Sequence, residues 1–245
     1  MGDTFETTFN IEPAHEKDIA LPLTFSMRAY FSSCHLWAAK RFSQLTDQIE
    51  SAGSNPPRFE IEQRAFAITC IISAVAFLEA AINELFQDAA DGHESYLAPL
   101  ASATRTDLAE AWSAGGDRLR VLEKFQLAAL LAQVPPFHKD REPYQSAEVL
   151  VKFRNHLVHY KPATLSARDE DKKFLARLRS KFRENALMAG SQNPYFPDKC
   201  LGAGCTRWVC KTVEAFADDF FGRLGMTPHY RRAEFSSPGI GPELS

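Results

Sequence analysis

Between Ile61 and Asp88 the apolar residues recur at helical intervals without interruption. Ile68, Ile71, Ile72, Val75, Leu78, Ile82, Leu85 and Phe86 spread around too much of a helix circumference for a surface helix, which needs only one apolar stripe. Such a helix has to be surrounded, so the rest of the chain must supply partners on more than one side. No segment alternates with period two for long enough to provide a sheet. The sequence therefore predicts an all-α protein, a helical bundle with two long antiparallel helices at its heart.

The remaining segments fit that frame. Phe25, Tyr30, Leu36, Trp37, Phe42, Leu45 and Ile49 predict a first helix from Leu23 to about Glu50, closed by Ser51-Ala52-Gly53-Ser54-Asn55-Pro56-Pro57. Asp91-Gly92 ends the second helix, and an irregular segment leads through Pro99 to Leu108. Gly115-Gly116-Asp117 offers a cap for a third helix through Leu131, stopped by Pro135-Pro136. A fourth runs from about Tyr144 to His159, where Pro162 disfavours helical geometry at Lys161. A charged helix from Ala167 to about Leu187 follows, then turns from Gly190 to Pro197, then a last helix from about Gly204 to Leu224. The domain reading is a lead-in over 1–20, a single helical domain over 21–226 and a frayed tail over 227–245.

Charge narrows the function. The 28 Lys and Arg against 31 Asp and Glu leave a net charge of −3, so no global basic field draws in nucleic acid and any RNA contact must be local. Met1 to Asn10 has neither a basic nor an apolar region of the kind a signal peptide needs. The apolar run Ala65 to Ala81 is broken by Thr69, Ser73 and Glu79 and reads as too short and polar to span a bilayer. Five cysteines without a secretory signal read as reduced thiols in a cytoplasm, with no membrane partner.

The stretch Phe153-Arg154-Asn155-His156-Leu157-Val158-His159-Tyr160-Lys161-Pro162 concentrates chemistry. A guanidinium can hold a phosphate through its planar fork, and an imidazole can move protons near neutral pH. On an ideal helix Arg154 and His159 diverge by roughly 140°. Asn155 and His159 share a face, as do His156 and His159. Unwinding at the helix end would let His159 swing toward Arg154, and the negative end of the helix dipole favours an imidazolium there. The plainer reading has Arg154 paired with an acid, Asn155 bridging helices and the histidines half-buried. On the long second helix Glu79 and Asn83 lie four apart on an otherwise apolar face, with Arg154 and Asn155 as natural partners. That cluster could clasp two helices or orient Arg154 for a phosphate.

Arg154-Asn155 followed by His159, four residues separating the Arg from the His, together with Leu78-Glu79-Ala80 and Asn83-Glu84-Leu85 on a preceding long helix, resembles the HEPN superfamily. The resemblance covers roughly residues 60–165 as a core, with additional flanking helices. It implies a four-helix bundle that forms a homodimer with two motifs facing one cleft. Active members are metal-independent endoribonucleases in toxin–antitoxin, phage-defence and RNA-processing settings, so the resemblance also implies an RNA substrate and a cognate antitoxin as partner. His159 would then be general base or acid, Arg154 would bind the scissile phosphate, and Asn155 would orient either group, leaving a 2′,3′-cyclic phosphate. Glu79, Asn83, His156 and Tyr160 would support them. Tyr160 directly follows His159, a departure from one toxin subgroup that places a Tyr two residues after the His. Other members are non-catalytic binding modules, and a nucleotide or small-molecule sensor is a third reading.

Other chemistries find less footing. Cys200, Cys205 and Cys210 are five apart, poor geometry for one zinc ion, and read as buried structural residues. His156-x-x-His159 has no carboxylate or thiolate beside it to complete a metal site. Gly202-Ala203-Gly204 lacks the lysine and strand of a phosphate loop, so no cofactor is expected. The basic runs Arg177-Leu178-Arg179-Ser180-Lys181-Phe182-Arg183 and Tyr230-Arg231-Arg232 read first as solvated faces, the former with phosphate contact as the alternative.

Overall fold

Helix α1 spans Ser32–Ala52 and helix α2 Ile61–Ala90, and they run antiparallel: Ser32 meets Glu84 near their distant ends, while Glu50 meets Gln63 beside the connecting loop. The computed structural model describes residues 28–53, 55–93, 96–161 and 169–232, and all statements below concern these. The chain divides into two compact units, Met1–Tyr30 and Phe31–Ser245. Of the first, only residues 28–30 are described, and they carry no regular secondary structure. The lead-in over 1–20 lies outside the described residues.

Among the described residues of the second unit there are helices and no strands, an all-α bundle. After α2 come α3 (Ser102–Ser113), α4 (Val121–Leu131), α5 (Tyr144–Val158), α6 (Asp169–Arg179), α7 (Ala203–Arg223) and the short α8 (His229–Arg232). α2 packs against α1, α7, α3, α5 and α4, which explains its all-round apolar pattern. Cys70, Ile71, Ala74, Val75, Phe77, Leu78, Ile82, Leu85 and Phe86 are all essentially sealed from water. Each large side chain among them contributes about 1.5–3 kcal/mol by leaving water. The packing is not confined to 60–165, because α1 and α7 enclose α2 most extensively and touch each other. An aromatic cluster closes the far side, with Phe125, Phe137, Tyr144, Phe216 and Phe220 joining α4, α5 and α7.

Several boundaries differ from expectation. α1 begins at Ser32 and residues 28–31 ahead of it are not helical, because the Ser32 N–H and hydroxyl donate to the two Glu84 carboxylate oxygens at 2.8 and 2.6 Å; the expected start at Leu23 lies outside the described residues. α3 lies partly in the segment expected to be irregular. Its inward face is carried by Thr104, Leu108 and Trp112, too few apolar residues to show a period; Trp112 stacks on Phe86 at 5.3 Å and donates to Gln87 at 2.8 Å. The expected third helix starts only at Val121, after a tight turn over Gly116–Arg118. α6 stops at Arg179 rather than Leu187, and Asn185, buried, turns the chain by accepting from the Leu187 N–H and donating to the Leu201 carbonyl. Residues 227–232 are not a frayed tail: Tyr230 of α8 is buried edge-on against Phe77 at 4.8 Å. Residues 233–245 lie outside the description.

The expectation that the apolar stretch is too short and polar for a bilayer also needs correction. At 30 residues α2 is long and apolar enough by length and composition to cross one, and 50% of its most apolar window is buried inside the fold. Most of its apolar residues pack against the helices around it, while Ile61 and Ile72 are exposed.

Candidate functional site

α5 carries the motif, and its inward residues Tyr144, Ala147, Leu150 and Phe153 recur every third position against α2 and α7. The helix is held at its start by Glu142, which accepts the Ser146 N–H at 3.2 Å and its hydroxyl at 2.7 Å. It ends at Val158, with His159 as the capping residue whose N–H donates to the Asn155 carbonyl at 2.9 Å. His159 and Tyr160 therefore sit at the very end of the helix, both exposed. The Pro162 position lies outside the described residues.

Arg154 follows Phe153 and turns toward α2, where its Nη2 donates to Glu79 Oε1 at 3.2 Å. The Glu79 side chain is 47% exposed, so this is a water-washed ion pair of small net value. The Arg154 Nε, by contrast, is buried with no hydrogen-bond partner among the described residues. Asn83 does not reach Asn155. It accepts instead from the Nζ of Lys124 on α4 at 2.8 Å. Lys124 is 6% exposed and lies 5.1 Å from the Trp112 ring centroid. Burial lowers the ammonium's pKa, while the charges of Glu79 and Asp117 oppose that shift. The result is a polar clasp of Arg154, Glu79, Lys124 and Asn83 tying α5, α2 and α4 together.

Lys124 went unnoticed in the sequence because a lysine in a charged-and-apolar helix reads as solvated. Its register held a signal, three residues after buried Val121 and four before buried Ala128.

On a different side of α5, Lys152, Asn155, His156 and His159 are spaced i, i+3, i+4, i+7 and share one face. His156 stacks on Phe174 of α6 at 4.4 Å, and its Nδ1 is 2.8 Å from the Lys152 carbonyl. The Lys152 ammonium lies 5.4 Å from the same Phe174 ring. Between α5 and α6 lies an open cleft of about 520 Å³ whose rim includes Lys152, Lys173 and Arg177, with Glu148 as its acid, 3.2 Å from Arg177. Tyr160 tilts over Phe196 at 6.1 Å. Helical spacing thus puts Asn155, His156 and His159 on one face with Lys152 of the basic cleft, His156 touching its Phe174, while Arg154 lies on the side of Glu79.

Among the described residues no cluster of His, Cys, Asp and Glu could hold a metal ion. Cys200 and Cys205 are buried, and burial raises both thiols. No family model, curated protein or solved structure matches the chain.

Proposed function

We propose that the chain is a metal-independent endoribonuclease of the HEPN type, with His159 as the group that moves the proton. The observation that carries the reading is an exposed imidazole at the open end of α5, on the helix face that borders the Lys152–Lys173–Arg177 cleft. The chain's overall charge is negative, so a substrate phosphate chain needs a local cationic track, and this cleft supplies one. His159 would take the 2′-hydroxyl proton as that oxygen attacks the adjacent phosphorus, and Asn155, four residues earlier, would orient it. The leaving 5′-oxygen would take up a proton, giving a 2′,3′-cyclic phosphate. Arg154, turned toward Glu79 on another side of α5, would have to leave that partner and swing around the helix end to hold the same phosphate. A homodimer, a cognate antitoxin and a cytoplasmic toxin or phage-defence setting belong to the same proposal.

A second reading is favoured by the clasp. The Arg154–Glu79 and Lys124–Asn83 contacts alone would serve a non-catalytic interaction or nucleotide-binding module. Incubating the purified protein with total RNA in the presence of a chelator separates the two. Cleavage leaving cyclic phosphate ends, reduced by about 10²–10⁴-fold in His159→Ala, is the expected result. Equal cleavage by wild type and variant would remove the catalytic role, and no turnover by either, with Arg154→Ala melting at lower temperature, would support the module.

A further inference from the structure

Cys70 on α2 and Cys210 on α7 are 140 positions apart in the chain, yet their sulfurs lie 3.9 Å from each other. Small side chains let these helices approach: Ala67, Cys70 and Ala74 on α2, and Thr206 and Cys210 on α7, are all buried. The Cys70 sulfur is also 3.9 Å from the Thr206 carbonyl. The two thiols differ in access. Cys70 is sealed, whereas Cys210 is 8% exposed and forms part of the wall of an open cavity of about 520 Å³. Lys40, Ser43, Lys211 and Arg231 line the same cavity, with Glu214 as the acid paired to Lys40 at 2.6 Å.

We infer that Cys70 and Cys210 form a reversible dithiol–disulfide pair, with Cys210 as the residue that meets a hydroperoxide entering this cavity and Cys70 as the residue that resolves it. The Cys210 thiolate attacks one peroxide oxygen, forming an S–O bond as the O–O bond breaks, and hydroxide leaves. The Cys70 sulfur then attacks the sulfenic sulfur, forming the S–S bond as the S–O bond breaks. The departing hydroxide takes the Cys70 proton. Two thiols and one hydroperoxide thus give one disulfide and two waters (water and an alcohol for an organic peroxide), and a thiol reductant reverses the change.

The electrostatics agree with this division of roles. Either thiol of the pair can donate to the other, and Ser43 and Lys40 favour the Cys210 thiolate while burial and Glu214 oppose it. Burial raises the sealed Cys70 thiol. The thiolate that attacks must meet the peroxide, and only Cys210 opens on the cavity, so Cys210 is the attacking partner. A disulfide needs the sulfurs at about 2.05 Å, so the pair must close by roughly 2 Å from its 3.9 Å separation.

The test is titration of the folded protein with hydrogen peroxide, followed by alkylation and a non-reducing peptide map. The chain has five cysteines, and Cys34 is exposed, so the protein used carries Cys34→Ser. The expected result is loss of two thiols, one cross-linked peptide pair containing Cys70 and Cys210, and full recovery with dithiothreitol. In Cys70→Ser a dimedone adduct should accumulate on Cys210, and in Cys210→Ser Cys70 should stay reduced. Circular dichroism of each variant checks its fold, and the peptide map of the Cys34→Ser protein stands without the other two. Oxidation at Cys210 with Cys70 left free, or no oxidation of either until the protein is denatured, would overturn the inference.

Discussion

Lys124 shows how one buried charge is kept. Its ammonium is held by Asn83 and by the nearby charge of Glu79, and Trp112 covers it. Lys124→Met should cost about 1–3 kcal/mol in chemical denaturation, because the Asn83 oxygen loses its donor inside the bundle. The pH dependence follows from the lowered pKa. Between the folded value and the ordinary 10.5, the unfolded chain still holds a proton that the folded chain has released. Raising pH therefore relieves the burden of burying this charge, so the stability gap between wild type and Lys124→Met should widen as pH climbs toward 10.5. A gap that narrows would contradict the assignment. The Arg154–Glu79 contact was legible in the sequence, but the partner of Asn83 was not: a helix pattern says which residues share a face, not that Asn83 finds Lys124 across the bundle instead of Asn155.

Helix α1 shows how a helix start can be set from outside its own sequence. The residues preceding α1, α2, α3, α4, α5 and α7 are Phe31, Glu60, Ala101, Arg120, Pro143 and Gly202, none of which caps with its own side chain. Carboxylates from elsewhere do the work for two of them. Glu84 of α2 receives the first N–H of α1 at 2.8 Å, and Glu50 of α1 receives the Ala203 N–H of α7 at 2.5 Å and the Ala186 N–H at 3.0 Å. Rules that look for Ser, Thr, Asp or Asn just ahead of an apolar run cannot see a cap delivered from 153 positions away. The interiors of α2, α5 and α7 were legible because packing repeats along a helix, and their starts were read to within a residue; the start of α1 was not, because a tertiary contact to Glu84 sets it. Glu50→Ala should cost about 1–2 kcal/mol in thermal or urea unfolding. Gly202→Ala should cost at least as much, since a Cβ there would fall 2.7 Å from the Asn185 backbone and 2.8 Å from the Glu50 carboxylate. A neutral result for both would mean that α7 is anchored by its apolar face alone.

At the scale of the molecule, α2 and the aromatic cluster around Phe216 hold the bundle together. Phe216 sits 4.9 Å from Phe125 and 4.5 Å from Phe137, so it joins α7 to α4 and to the segment before α5. Phe216→Ala should lower stability by about 3–5 kcal/mol, read as a shift of the denaturant midpoint with unchanged slope. A changed slope would point instead to loosening of the α4–α5 half alone. α8 has a practical bearing on anyone preparing the protein. Its tyrosine forms the lid of an aromatic wall built from Phe77 and Phe221. An expression boundary drawn at Met226 would leave that wall greasy and wet, a surface prone to clumping, so shortened versions should retain the chain through Arg232.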